Sequence, residues 1–173
     1  VYFTTAAVPL GTSVGDLDGD GKPDIAVINQ TPNSVSVFRN TSKSGAIDAT
    51  SFAAKVDFMT ATQPDRVAIA DIDGDGKPDM AITHGVTSAV SILRNTSTPG
   101  TIDASSFAAK VDFAPAGAGV SVGDLDGDGK LYLAIAGGTN LVAVLRNTST
   151  FGTISFATKV DLTAGTTTNT VGI

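Results

Sequence analysis

Asp16-Leu17-Asp18-Gly19-Asp20-Gly21-Lys22-Pro23-Asp24 puts four carboxylates into nine residues, and the stretch does not stand alone. It returns as Asp71-Ile72-Asp73-Gly74-Asp75-Gly76-Lys77-Pro78-Asp79. With a changed ending it returns again as Asp124-Leu125-Asp126-Gly127-Asp128-Gly129-Lys130-Leu131-Tyr132. The spacings are 55 and 53 residues. Two further markers keep step. Arg39-Asn40-Thr41-Ser42 recurs at Arg94-Asn95-Thr96-Ser97 and at Arg146-Asn147-Thr148-Ser149. Ser51-Phe52-Ala53-Ala54-Lys55-Val56-Asp57-Phe58 recurs at Ser106 to Phe113 and, shortened, at Ser155 to Leu162. Markers in one order at one period are the signature of a repeat architecture.

Each unit reads as four short strands. In the first, Thr12 to Leu17 leads into the acidic loop, and Ile25-Ala26-Val27-Ile28 is the continuous apolar run of a strand buried on both faces. Thr31-Pro32-Asn33-Ser34 turns the chain, Val35, Val37 and Phe38 form the next strand, and the last lies around Ala54 to Phe58. Four antiparallel strands in about 50 residues is the size of a propeller blade. Because a lone blade leaves both faces bare, stacking on neighbours is what buries the apolar runs. The fold expected is therefore all-β, built of propeller blades. Repeats fall at about 1–55, 56–110 and 111–159 within one segment, 1–173, and 160–173 starts a fourth. Val1-Tyr2-Phe3 aligns with Val56-Asp57-Phe58, so three complete repeats stand between partial ones. Propellers close with about four to eight blades. The expectation is thus a piece of a longer chain, with a protomer that closes against a second copy as the other possibility.

Composition narrows the function. All 17 acidic residues are Asp, eleven of them lie in the three loops, and the net charge is −6. An acidic chain with no basic patch is a poor nucleic-acid binder. No apolar run approaches the roughly 18 residues that cross a bilayer, so no membrane insertion is expected. With no cysteine there is no disulfide scaffold, thiol nucleophile or zinc–thiolate site.

The loops themselves fit a hard cation. Calcium takes six to eight oxygens, and a tight coil supplies them by turning alternate side chains inward. In the first loop the expected ligands are Asp16, Asp18, Asp20 and Asp24 with the Lys22 carbonyl. In the second they are Asp71, Asp73, Asp75 and Asp79 with the Lys77 carbonyl. In the third they are Asp124, Asp126, Asp128 and the Lys130 carbonyl. Gly19 and Gly21 permit the positive φ such a coil needs. Carboxylates this crowded repel one another unless a cation is present. An EF-hand is excluded, since its twelfth position holds Val27 or Ile82 where a bidentate Glu belongs. The third loop departs from the pattern. Tyr132 stands in place of the last Asp and brings no anionic oxygen at neutral pH, so this site is expected to be weaker or completed by water.

On these motifs the chain resembles the FG-GAP/VCBS repeat found in integrin α-subunit propellers and in many secreted bacterial proteins. The resemblance covers essentially the whole chain, although Leu10-Gly11, Asp65-Arg66 and Ala118-Gly119 stand where the family often has Phe-Gly. It implies calcium loops that join the two inner strands of each blade, on the face away from the usual ligand site.

No catalytic constellation emerges. His84, the only histidine, reads as a polar surface residue near a turn, and no nucleophile sits beside a base. Arg39, Arg94 and Arg146 read as ion pairs or blade-to-blade hydrogen bonds, or else as anchors for an anionic partner. Asn29, Asn40, Asn95 and Asn147 match the glycosylation acceptor pattern. The function expected is a calcium-stabilised, secreted or cell-surface module for adhesion or recognition of a protein or glycan, not an enzyme. The rivals are a lectin propeller and an accessory propeller of a larger secreted enzyme, such as a polysaccharide lyase.

Overall fold

A computed structural model describes residues 1–85, 89–115, 117–137 and 140–165. The described residues contain twelve strands and no helix. Strand β1 (Ala7–Gly15) runs into the first acidic loop, and β2 (Asp24–Thr31), β3 (Ser34–Phe38) and β4 (Val56–Met59) follow. The second set is β5 (Pro64–Ala70), β6 (Asp79–His84), β7 (Val90–Leu93) and β8 (Val111–Phe113). The third is β9 (Gly119–Gly123), β10 (Tyr132–Ala136), β11 (Leu141–Leu145) and β12 (Val160–Thr163). Each set forms one antiparallel four-stranded sheet in chain order. The sheets are blade-like, as the repeat requires, but the three do not close a ring. Strands β4, β8 and β12 complete the sheets before them, whereas the repeat boundaries at 55, 110 and 159 fall just ahead of these strands. Of the fourth repeat, residues 166–173 lie outside the described residues.

Stacking works through alternation along each strand. On the first sheet Ala26, Ile28, Val35, Val37 and Phe58 point to one side, where Val67, Met80, Ile82, Leu93 and Phe107 of the second unit meet them. The second sheet repeats the arrangement, with Ala81, Val90 and Ile92 against Leu133, Ile135 and Leu145 of the third. Edge-on phenylalanine pairs mark each contact. Phe58 meets Phe107 at 4.9 Å between centroids, and Phe113 meets Phe156 at 5.0 Å. Phe3 stands against Phe52 in the same way at 5.1 Å, as the alignment of Val1-Tyr2-Phe3 with Val56-Asp57-Phe58 anticipates.

Strands β1, β5 and β9 lie side by side at the inner edge of the stack. One glycine shows how close they come. A Cβ on Gly11 would sit 2.7 Å from the Asp65 carbonyl oxygen, so no side chain fits there. The acidic loops join β1 to β2, β5 to β6 and β9 to β10, and all three lie at one end of the sheets.

Candidate metal centre

The loops coil because their own carboxylates capture their backbone amides. In the first, Asp16 Oδ1 accepts from the Asp20 amide at 3.1 Å and Oδ2 from Gly21 at 2.9 Å, while Asp20 Oδ1 accepts from Lys22 at 2.9 Å. In the second, Asp71 holds Gly74, Asp75 and Gly76. Gly19 and Gly21 have φ of 69° and 86°, the left-handed values expected of a coil this tight.

Three carboxylates converge in each loop, with one oxygen from each within 4.8 Å of the others. In the first loop these are Asp16, Asp18 and Asp24; in the second, Asp71, Asp73 and Asp79; in the third, Asp124, Asp126 and Asp128. Asp20 and Asp75 do not join their clusters. Their outer oxygens turn to cations instead, Asp20 to Lys22 Nζ at 3.7 Å and Asp75 to Arg94 Nη1 at 3.7 Å. Of the lysines whose carbonyls the sequence nominates, Lys77 and Lys130 send their ammonium groups to the Ser97 and Ser149 carbonyls.

Asp24 and Asp79 do a second job. Both are fully buried, and each accepts two main-chain amides. Asp24 takes Leu17 at 2.9 Å and Asn40 at 2.7 Å; Asp79 takes Ile72 at 3.0 Å and Asn95 at 2.7 Å. Each carboxylate thereby ties the loop entry to the end of the third strand. Burial raises their pKa against these hydrogen bonds, Asp24 to about 6 and Asp79 to about 7. Burial also raises Asp18 and Asp73. Asp18 Oδ2 and Asp73 Oδ2 are buried and accept no hydrogen bond. The nearest cation to the first, Arg39 Nη1, stands 3.8 Å away. A buried carboxylate oxygen with no donor is costly, and the three carboxylates together could hold a metal ion.

The third loop is built otherwise. Tyr132 is buried at the ninth position and donates its phenolic hydrogen to Asp126 Oδ2 at 2.5 Å. Arg146 Nε donates to the Tyr132 hydroxyl at 3.2 Å, and Nη2 lies 3.9 Å from Asp128 Oδ2. The Tyr132 hydrogen bond holds Asp126 below the usual carboxylate range, so here the acid stays ionised where its counterparts Asp18 and Asp73 are pushed up.

Three sequence expectations change. His84 is no surface residue: it is fully buried on β6, with Nε2 2.8 Å from Ser91 Oγ, which donates to Asp112 Oδ1 at 2.6 Å. The first sheet has the same relay from Asn29 through Ser36 to Asp57, so the histidine occupies a structural slot. The arginines do form ion pairs, but with the acidic loop of their own repeat. Joining blade to blade falls to the asparagines beside them. Asn95 Nδ2 donates to the Leu17 carbonyl at 2.8 Å, reinforced by Ser97 Oγ at 3.0 Å, and Asn147 Nδ2 donates to the Ile72 carbonyl at 2.7 Å. All four asparagines of the glycosylation pattern are buried, which closes them to a glycan. For Asn95 and Asn147 the recurrence beside an arginine was the signal; what it lacked was the partner carbonyl one repeat away.

Residues 16–82, which take in the first two acidic loops, match the family model of the FG-GAP-like repeat. No curated protein and no solved structure matches the chain.

Proposed function

We propose, for a chain that carries an FG-GAP-like repeat, that its first two acidic loops bind calcium and that the ion fastens the blades of an extracellular recognition module. One observation carries this reading. Asp18 Oδ2 and Asp73 Oδ2 are buried without a donor, each beside two further carboxylates. An all-oxygen, all-anionic set suits a hard divalent ion, and calcium tolerates the irregular geometry of a loop better than magnesium does. Asp16, Asp18 and Asp24 would hold the first ion, and Asp71, Asp73 and Asp79 the second. Asp20 and Asp75 would orient the coil through the amides they accept.

The ion's role is structural. The Leu17 carbonyl, within the first loop, is the acceptor for Asn95 and Ser97 of the next repeat, and the Asp18 carbonyl accepts from the Gly100 amide at 2.9 Å. Holding the first loop rigid therefore holds the seam between blades. Calcium modules of this kind work at dissociation constants of about 10⁻⁴–10⁻³ M, concentrations met outside cells, which supports a secreted or surface location. The binding partner is a protein or glycan presented there, and the chain acts by binding without catalysis. Calorimetric titration of the metal-free protein tests the reading. Saturable calcium uptake that is lost in Asp18→Ala and Asp73→Ala is expected; no heat of binding at millimolar calcium overturns it.

A further inference from the structure

We infer that Tyr132 and Arg146 form a clasp that holds the third acidic loop in its coil without a metal ion, so that the third blade is built independently of calcium. The evidence is the same atom in three settings. Asp18 Oδ2 and Asp73 Oδ2 have no hydrogen-bond partner, whereas Asp126 Oδ2 accepts the Tyr132 hydroxyl at 2.5 Å. The phenol occupies the ninth position, where the other loops bring a fourth carboxylate into the nine residues, and it caps the oxygen that an ion would need. Arg146 supplies the positive charge. Its Nε donates to the phenol oxygen, which frees the phenolic hydrogen for Asp126, and its Nη2 lies 3.9 Å from Asp128 Oδ2. The third loop thus holds three carboxylates with Arg146 beside Asp128, where the first holds four, with Arg39 beside Asp18 and Lys22 beside Asp20.

The coil survives this exchange. Gly127 and Gly129 amides donate to Asp124 at 2.8 and 2.9 Å, the Lys130 amide donates to Asp128 at 2.8 Å, and Gly127 and Gly129 keep φ of 80° and 84°. The three carboxylates of this loop are all exposed, so leaving them without an ion carries little desolvation cost. Only the contrast between blades rests on the calcium reading; the clasp itself does not.

Amide hydrogen exchange on the full chain, in EGTA and in millimolar calcium, tests the clasp. Exchange at Gly127, Gly129 and Lys130 is expected to be the same in both, while Gly21, Lys22, Gly76 and Lys77 slow on adding calcium. In Tyr132→Phe, exchange over 126–130 is expected to rise about tenfold in both conditions, the scale of a lost hydrogen bond to a charged group. Equal slowing of all three loops by calcium, or an unchanged third loop in Tyr132→Phe, overturns the clasp. If the first two loops ignore calcium, the calcium reading fails, and the Tyr132→Phe result still decides the clasp. Should Tyr132→Phe not fold, Arg146→Gln replaces it, with faster exchange over 126–130 expected in EGTA. An unchanged third loop in that variant counts against the clasp.

Discussion

The second and third acidic loops share the coil, the two glycines and the lysine, yet they solve the same electrostatic problem in opposite ways. Asp79 at the ninth position of the second loop is buried, binds two main-chain amides and leaves Asp73 Oδ2 without a donor. Tyr132 at the same position of the third is also buried, but it spends its hydroxyl on the carboxylate that would otherwise be bare. One residue decides whether that carboxylate oxygen is bare or carries a donor of its own. The coil is set by short-range hydrogen bonds from Asp to backbone amide. The pairing of the buried carboxylate oxygen is set by what stands at the loop's floor.

Removing the floor carboxylate should have the largest effect. Asp79→Ala strands the Ile72 and Asn95 amides and is expected to lower stability by about 3 kcal/mol, since each buried amide left unpaired costs roughly 1–3 kcal/mol. Urea unfolding in EGTA isolates this structural part. If the loss vanishes when calcium is absent, Asp79 acts through the ion alone.

Calcium itself comes next. At a dissociation constant of about 10⁻⁴ M and millimolar calcium, each occupied loop adds about 1.4 kcal/mol by mass action, so two loops should raise the melting temperature by several degrees. Melting curves with EGTA and with calcium measure the shift directly. Identical curves would remove the distinction between the first two loops and the third.

Converting the third loop should be worth about half as much. Tyr132→Asp restores the missing carboxylate and is expected to add one calcium equivalent to the two of the parent chain, with about 1.4 kcal/mol of calcium-dependent stability. A stoichiometry of three in the parent protein would erase the comparison, and an unchanged stoichiometry in the variant would show that the floor residue does not control it.

Acidity should sharpen the comparison by the least. In metal-free protein Asp24 and Asp79 hold protons to about pH 6 and 7, because burial raises both. A carboxyl raised above its unfolded value stabilises the fold at low pH, and that contribution is lost as pH rises through the folded pKa. Calcium must displace these protons. Between pH 7.5 and 6.0 its affinity should therefore fall severalfold at the second loop and about twofold at the first. Asp126 is held ionised by Tyr132 and adds nothing in that window. His84 acts with the opposite sign. Its burial lowers its pKa, so the unfolded chain takes up the proton first and stability drops as pH falls below about 6.5. Calcium titrations at several pH values separate the two, because the histidine term appears equally with and without the ion. Equal pH slopes at the first two loops would contradict the higher pKa of Asp79.

Much of this was legible in the chain. The period and the anomaly at Tyr132 show on comparing the repeats, while the four strands of each unit and the left-handed glycines at 19 and 21 follow from residues within a few positions of one another, since local conformation answers to local sequence. Tertiary structure alone selected Asp24 over Asp20 as the third carboxylate of the first cluster. The choice depends on the amides of Leu17 and Asn40, one from the loop after β1 and the other from beyond the end of β3. It also turned His84 inward against Ser91, gave Asn95 a carbonyl 78 residues away in the chain, and set Arg146 behind Tyr132 so that a neutral phenol could serve a carboxylate. A repeat written in sequence records which groups recur. The atom each group meets lies across a sheet or in the next blade, and only packing brings the two together.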